Sequence, residues 1–146
     1  MRYFRSYELQ VSHFSDIAPD GKSVYPRLEL ARASKDVAET RKLYEAILCG
    51  IHGHNLVVEV TVDGPVRDGG FVVDDPVISS VVMGFDNWNL SMHPALAGHR
   101  ATTENLAQMF FDQIWKAIND ATIRLTVRIE ERAGLEATCS SKSNLR

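Results

Sequence analysis

The sequence predicts an α+β domain, an antiparallel sheet with helices packed on one face. Three observations predict it. Four segments place apolar residues at every second position, the period of a strand with one buried face. Two segments between the second and third of these carry helix-start signals and helical spacing of apolar residues. The order of these elements is strand, strand, helix, helix, strand, strand, with one further helical stretch before the second strand.

The first strand covers residues 2 to 13, where Tyr3, Tyr7, Leu9, Val11 and His13 share one parity. Residues 14 to 30 contain Asp, Pro and Gly and read as loop. Residues 31 to 48 read as a helix, with Val37, Ala38, Leu43, Tyr44 and Ile47 as its stripe. Gly50 and Gly53 bracket a turn. The second strand is 54 to 63, where Leu56, Val58, Val60 and Val62 share a face with His52 and His54 just before them. Asp75-Pro76 starts a helix that runs to about Met83, because proline suits the first turn. Residues 85 to 101 read as loop. A long helix starts at Thr102 or Thr103 and runs to about Asp120, burying Leu106, Phe110, Ile114, Ala117 and Ile118. Ile123, Leu125, Val127 and Ile129 mark a third strand over 122 to 131, and Glu131 falls on the same face. Gly134 turns the chain into a short fourth strand containing Leu135, Ala137 and Cys139, and the polar tail after it reads as frayed.

Composition narrows the function. The 146 residues (1–146) fit a single domain, and 45% hydrophobic content is enough for a core. The 16 basic and 19 acidic residues leave a net charge of −3 and form no basic block, which argues against a nucleic-acid partner. No stretch reads as a signal peptide or a membrane span. Two cysteines, Cys49 and Cys139, imply no disulfide framework and suit a reducing cytoplasmic setting.

His52-Gly53-His54 is the sharpest local signal. Residues i and i+2 of a strand point the same way, so both imidazoles can reach one ion. Three protein ligands plus one open position make a catalytic zinc site, and His13, ending another strand on its apolar side, is the candidate third ligand. The plainer reading makes these histidines ordinary strand-end or turn residues.

Taken in order, several segments resemble the 6-pyruvoyltetrahydropterin synthase family, which includes the 6-carboxytetrahydropterin synthases of queuosine biosynthesis. The segments are His13, Cys49 with His52-Gly53-His54 and the strand Val57 to Val62, Gly70-Phe71-Val72-Val73-Asp74, Phe85-Asp86-Asn87-Trp88-Asn89-Leu90-Ser91, Thr102-Thr103-Glu104-Asn105-Leu106-Ala107, and Val127-x-Ile129-x-Glu131. The resemblance spans nearly the whole chain. It implies a tunnelling fold of ββααββ units and a homo-oligomer, a hexamer of two trimers with sites between subunits.

The resemblance also implies a chemistry. Such enzymes bind zinc and act on 7,8-dihydroneopterin triphosphate. A base removes a side-chain proton, triphosphate leaves, and the side chain tautomerises. By resemblance His13, His52 and His54 hold zinc, Cys49 and Asp86 are catalytic, and Glu131 anchors the pterin ring with Thr102, Thr103 and Glu104 beside it. Left to the residues alone, Glu131 can equally be solvated past the strand end, and the threonines can simply cap a helix. Glu130 is the weaker anchor because its parity points to the other face.

The sequence departs from the family pattern twice. Asn87 follows Asp86 where the family has a histidine, and an amide cannot shuttle a proton. Cys49 also lies nearer the HGH than the family pattern has it, with Gly50 and Ile51 alone between them. Glu45, His93 and His99 are candidate substitutes. The leading expectation is a zinc-dependent lyase on dihydroneopterin triphosphate. The alternatives are a divergent enzyme that cleaves the pterin side chain in an aldolase-like step or takes a related heterocycle, and an inactive pterin- or partner-binding homologue.

Overall fold

A computed structural model describes residues 1–15, 22–48, 50–96 and 99–141, with the side chain of Leu48 left aside. The described elements are β1 (Arg2–Phe14), α1 (Val24–Ala33), α2 (Val37–Leu48), β2 (Ile51–Asp63), α3 (Asp75–Met83), α4 (Thr103–Ile118), β3 (Arg124–Arg132) and β4 (Leu135–Ser140). Two short 3-10 turns, Leu90–Met92 and Pro94–Leu96, precede α4. The four strands form one antiparallel sheet in the order β1-β2-β3-β4. This is the α+β arrangement that the alternating apolar pattern predicts.

The core lies between one face of the sheet and helices α3 and α4. Leu9, Leu56, Val58, Val60, Val62, Leu125, Val127 and Ile129 come from the sheet, and all are nearly or wholly excluded from water. Ile78 and Val82 of α3 and Leu106, Phe110 and Ile114 of α4 close over them. Each such side chain contributes about 1.5–3 kcal/mol by leaving water. The other sheet face is polar, and Arg128 there reaches Glu59, Glu130 and Glu136.

The segment before β2 differs from the expectation. Residues 24 to 33, split above between loop and helix, form α1, and the predicted helix over 31 to 48 is interrupted at residues 34–36. Pro26 is tolerated because it sits in the first turn, where its missing N–H leaves no bond unmade. The interruption has a local cause. Asp36 Oδ1 accepts from the Glu39 N–H at 2.9 Å, and the Asp36 N–H donates to Ser34 Oγ at 3.2 Å. Side-chain bonds of this kind offer the backbone an alternative to a continuous helix. Val37, placed above in the buried stripe, is 83% exposed, while Ile47 packs with Phe14, Val24 and Leu28 in a second small cluster.

Three smaller corrections follow. Gly53 lies within β2, which begins at Ile51 rather than residue 54. Ala117 is exposed, and Met109 and Ala107 join the buried face of α4 in its place. Residues 87–89, read as loop, are stitched to the outer edge of β1: Asn87 N–H donates to Gln10 O at 2.7 Å, and Ser12 N–H donates to Trp88 O at 3.0 Å.

Candidate metal centre and adjoining cavities

The sheet register builds the histidine cluster. His13 and His52 are direct cross-strand partners, and His54, two residues further along β2, shares their face. Opposite residues of an antiparallel pair lie about 4.5–5.5 Å apart, so three imidazoles are forced together. Their ring centroids are 4.3, 4.9 and 4.8 Å apart. One nitrogen from each falls within 4.8 Å of the others.

The donor set fits a divalent metal. Nδ1 of His52 lies 3.2 Å from the Gly50 carbonyl oxygen, which accepts but cannot donate, and 3.3 Å from Ser15 Oγ. That contact puts the proton on Nδ1 and leaves Nε2 as the lone-pair nitrogen, the usual second bond of a metal-binding imidazole. His54 Nε2 is buried without a well-directed hydrogen bond. One nitrogen each from His13, His52 and His54 would hold such an ion, with the cluster drawing in from its present spread.

Glu131 borders the cluster. Its Oε1 lies 3.0 Å from His54 Nε2 and 3.7 Å from His13 Nε2, and its side chain is 11% exposed. Thr103 Oγ1 donates to its Oε2 at 3.1 Å. Strand parity continues from Ile129 to Glu131, and the register shift between Glu130 and Arg132 marks the end of regular pairing there. The carboxylate is thus held, not solvated past a strand end. Glu130 points to the opposite face and pairs with Arg128, as its parity predicts.

Two cavities share Glu131 as a lining residue. One, of about 510 Å³, is lined by His13, His52, Thr102, Thr103, Glu104 and Glu131, with Phe14, Ser15, Ala101 and Leu135. The other, of about 680 Å³, is lined by Gln10, Ser12, Gly53, His54, Asn55, Asn87, Trp88 and Glu131, with Val11. The predicted ligands His13, His52 and His54 and the predicted substrate residues Thr102, Thr103, Glu104 and Glu131 are therefore brought together.

The predicted catalytic residues are placed otherwise. Cys49 lies outside the described residues. Asp86 lines neither cavity; its Oδ1 accepts from the Gln10 N–H at 2.8 Å and its Oδ2 from Asn87 Nδ2 at 3.0 Å. Glu45 pairs with Arg41 at 2.8 Å on an exposed helix face. His93 packs against Phe85 and Trp88, its Nδ1 accepts from the Ala95 N–H, and burial pushes its pKa down.

Sequence reasoning missed Gln10, Ser12, Asn55 and Trp88 as lining residues. Strand parity puts Gln10, Ser12 and Asn55 on the polar face, and nothing in the pattern says that residues 87–89 come alongside to make a wall.

The profile of the 6-pyruvoyl tetrahydropterin synthase family matches residues 32–142. The chain belongs to this family. His13 lies before the matched segment, so its place beside His52 is a finding of the structure. A 6-pyruvoyl tetrahydrobiopterin synthase from Dictyostelium discoideum is 33% identical over 89 residues, 56% of this chain. That match spans 65% of the relative, just under two thirds of its length. The fold is similar to a Caenorhabditis elegans 6-pyruvoyl tetrahydropterin synthase, with TM-score 0.62, 18% identity, and coverage of 97% of this chain and 96% of that one. It is also similar to the Plasmodium vivax enzyme of the same name, with TM-score 0.56, 14% identity, and coverage of 97% and 99%. Such likenesses establish the α+β tunnelling fold. Among the described residues, no helix is long and apolar enough to cross a membrane.

Proposed function

We propose that this member of the family is a zinc-dependent enzyme that removes a proton from the side chain of a dihydropterin. The observation that carries this reading is the convergence of His13, His52 and His54 beside a carboxylate held by Thr103. Three imidazoles favour zinc among abundant divalent metals. When bound, the ion would polarise a side-chain oxygen and so acidify the neighbouring C–H or O–H.

The protein's own residues supply recognition. Glu131 accepts hydrogen bonds from the amino and ring N–H groups of the pterin, and its fixed carboxylate discriminates against rings without those donors. Thr103 holds that carboxylate in place, while Thr102 and Glu104 flank the ring cavity. Cys49 and Asp86 are the residues that the family pattern offers for proton transfer. Site completion between subunits of a homo-oligomer, in the cytoplasm, belongs to the same proposal.

Two outcomes of proton removal remain distinct. In the lyase form, triphosphate leaves from dihydroneopterin triphosphate and the side chain tautomerises. In the aldolase-like form, the proton leaves a side-chain hydroxyl, the bond between the two side-chain carbons nearest the ring breaks, the outer fragment departs as an aldehyde, and the inner carbon takes up a proton. Asn87 favours the second, since it cannot titrate and it occupies Asp86 through its amide.

The test is incubation of metal-analysed protein with 7,8-dihydroneopterin and with its triphosphate, followed by mass spectrometry. Triphosphate release establishes the lyase form, and a shortened pterin side chain establishes the aldolase-like form. Tight pterin binding without turnover of either leaves a binding protein and removes the enzyme reading. In Asn87→His, a large gain in triphosphate release identifies a synthase that has lost its proton relay.

A further inference from the structure

The three histidines stand on a part of the sheet that β3 does not reach. β2 pairs with β3 over residues 57–63, whereas residues 51–56 of β2 pair with β1 alone among the described residues. Residues 9–14 and 51–56 thus form a two-stranded extension of the sheet, and His13, His52 and His54 all lie on it. A two-stranded ribbon is marginally stable in water by itself. A metal site built on one needs further support for its backbone.

The segment after α3 supplies that support. Alternate residues of an edge strand turn their peptide groups outward, and here these are Gln10, Ser12 and Phe14. Each outward N–H is taken by residues 86–91. Gln10 N–H donates to Asp86 Oδ1 at 2.8 Å, Ser12 N–H to Trp88 O at 3.0 Å, and Phe14 N–H to Ser91 Oγ at 3.0 Å. The Gln10 carbonyl accepts from Asn87 N–H in the same series. The segment meets β1 in a parallel bridge between Ser12 and Asn89. It stands where a third strand would.

This strap is itself fixed to the body of the protein. Phe85 and Leu90 are buried in the main core, and Asp86 N–H donates to Met83 O at the end of α3. Ser91 is buried, and its N–H donates to Asn89 Oδ1 at 3.1 Å. The Phe14 N–H belongs to the peptide group that follows His13, so Ser91 orients the backbone of the ligand residue itself. Packing of Phe14 against Val24, Leu28 and Ile47 holds the strand end through a side chain and leaves that peptide group to Ser91.

We infer that Asp86 and Ser91 are positioning residues for the metal site: their side-chain oxygens hold residues 10–14 in register, so that His13 meets His52 and His54. This role rests on the metal reading given above and is the same whichever pterin reaction follows.

The test is the zinc affinity of the full chain, measured by competition with a chelator, together with amide hydrogen exchange of the metal-free protein. A ribbon that keeps its register about a tenth of the time binds zinc about tenfold more weakly. Asp86→Ala and Ser91→Ala should each weaken zinc by about that factor and speed exchange at residues 12–14. Saturating zinc should restore slow exchange, because the ion joins β1 to β2. Asp86→Asn keeps an oxygen for the Gln10 N–H, and its amide donates to Asn87 once that side chain turns over. It should therefore bind zinc within about twofold of the wild type. Val62→Ala opens a cavity at the far end of β2, where Val62 is fully buried. It should lose stability and keep wild-type zinc affinity.

Unchanged zinc affinity in both alanine variants overturns the role and leaves the metal reading standing. So does an Asp86→Asn that binds as weakly as Asp86→Ala, or a Val62→Ala that weakens zinc as much as they do. If Ser91→Ala does not fold, the two Asp86 variants decide. A wild-type protein that binds no zinc removes the metal reading and this role with it.

Discussion

Oε1 of Glu131 lies 3.0 Å from Nε2 of His54, and Oε2 of the same carboxylate accepts from Thr103 at 3.1 Å. Glu131 therefore connects the histidine cluster to the N-terminus of α4. The positive end of a helix dipole favours a carboxylate there. Glu131→Gln keeps an oxygen for Thr103 and removes the charge. We expect it to lower pterin affinity about a hundredfold, since buried charged acceptors contribute strongly to such contacts. Metal content, measured by elemental analysis, should stay near one per chain, and equal pterin affinity in the variant would remove Glu131 as the anchor.

Removing one imidazole leaves a two-ligand site. His54→Ala and His52→Ala should each reduce bound zinc to below about a tenth of an equivalent after dialysis. Wild-type protein should gain thermal stability on adding zinc, because an ion that binds the folded state alone shifts the equilibrium. Both variants should lose that gain while keeping the wild-type circular dichroism spectrum. Undiminished zinc in either variant would place the metal elsewhere.

Asn105 N–H donates to Thr102 Oγ1 at 3.3 Å at the start of α4. Thr102→Ala removes that cap. Loss of such a cap costs about 1 kcal/mol, read as a lower denaturant midpoint with an unchanged slope. Restored stability in Thr102→Ser would confirm that the hydroxyl is responsible.

Phe110 is fully buried on α4 and meets Phe85 edge-on, with centroids 4.8 Å apart. Phe110→Ala should destabilise the fold by about 3–5 kcal/mol through lost contact and the cavity left behind. A loss under about 1 kcal/mol in chemical denaturation would mean that this interface packs loosely.

Asp120 accepts from the Thr122 hydroxyl and N–H and from Arg67, and these bonds hold its pKa down at about 2. The ordinary aspartate value is 3.8. The unfolded chain therefore takes up the proton first, and the stabilisation is complete above about pH 4 and lost as pH falls towards 2. Asp120→Asn should flatten the acid limb of the stability curve within that window and leave its shape above pH 5 unaltered. Identical acid limbs would exclude this linkage.

Much of this was legible beforehand because it depends on period and spacing. Alternation at Leu56, Val58, Val60 and Val62 predicts β2, and the shared parity of His52 and His54 predicts their common direction. Proline at Asp75-Pro76 predicts the start of α3. The break between α1 and α2 was not legible, because Ser34 and Asp36 act through bonds to nearby backbone that a hydrophobic pattern does not register.

What the sequence by itself determined is local: which residues alternate, where helices start, and that Asn87 stands where the family has a titrating group. What the tertiary structure decided is juxtaposition. Pairing register set His13 against His52, and the stitching of residues 87–89 to β1 gave the second cavity its wall. The physical reason is that the hydrophobic pattern specifies which face of a strand is buried, whereas the neighbour a side chain meets depends on contacts between distant segments that come together on folding.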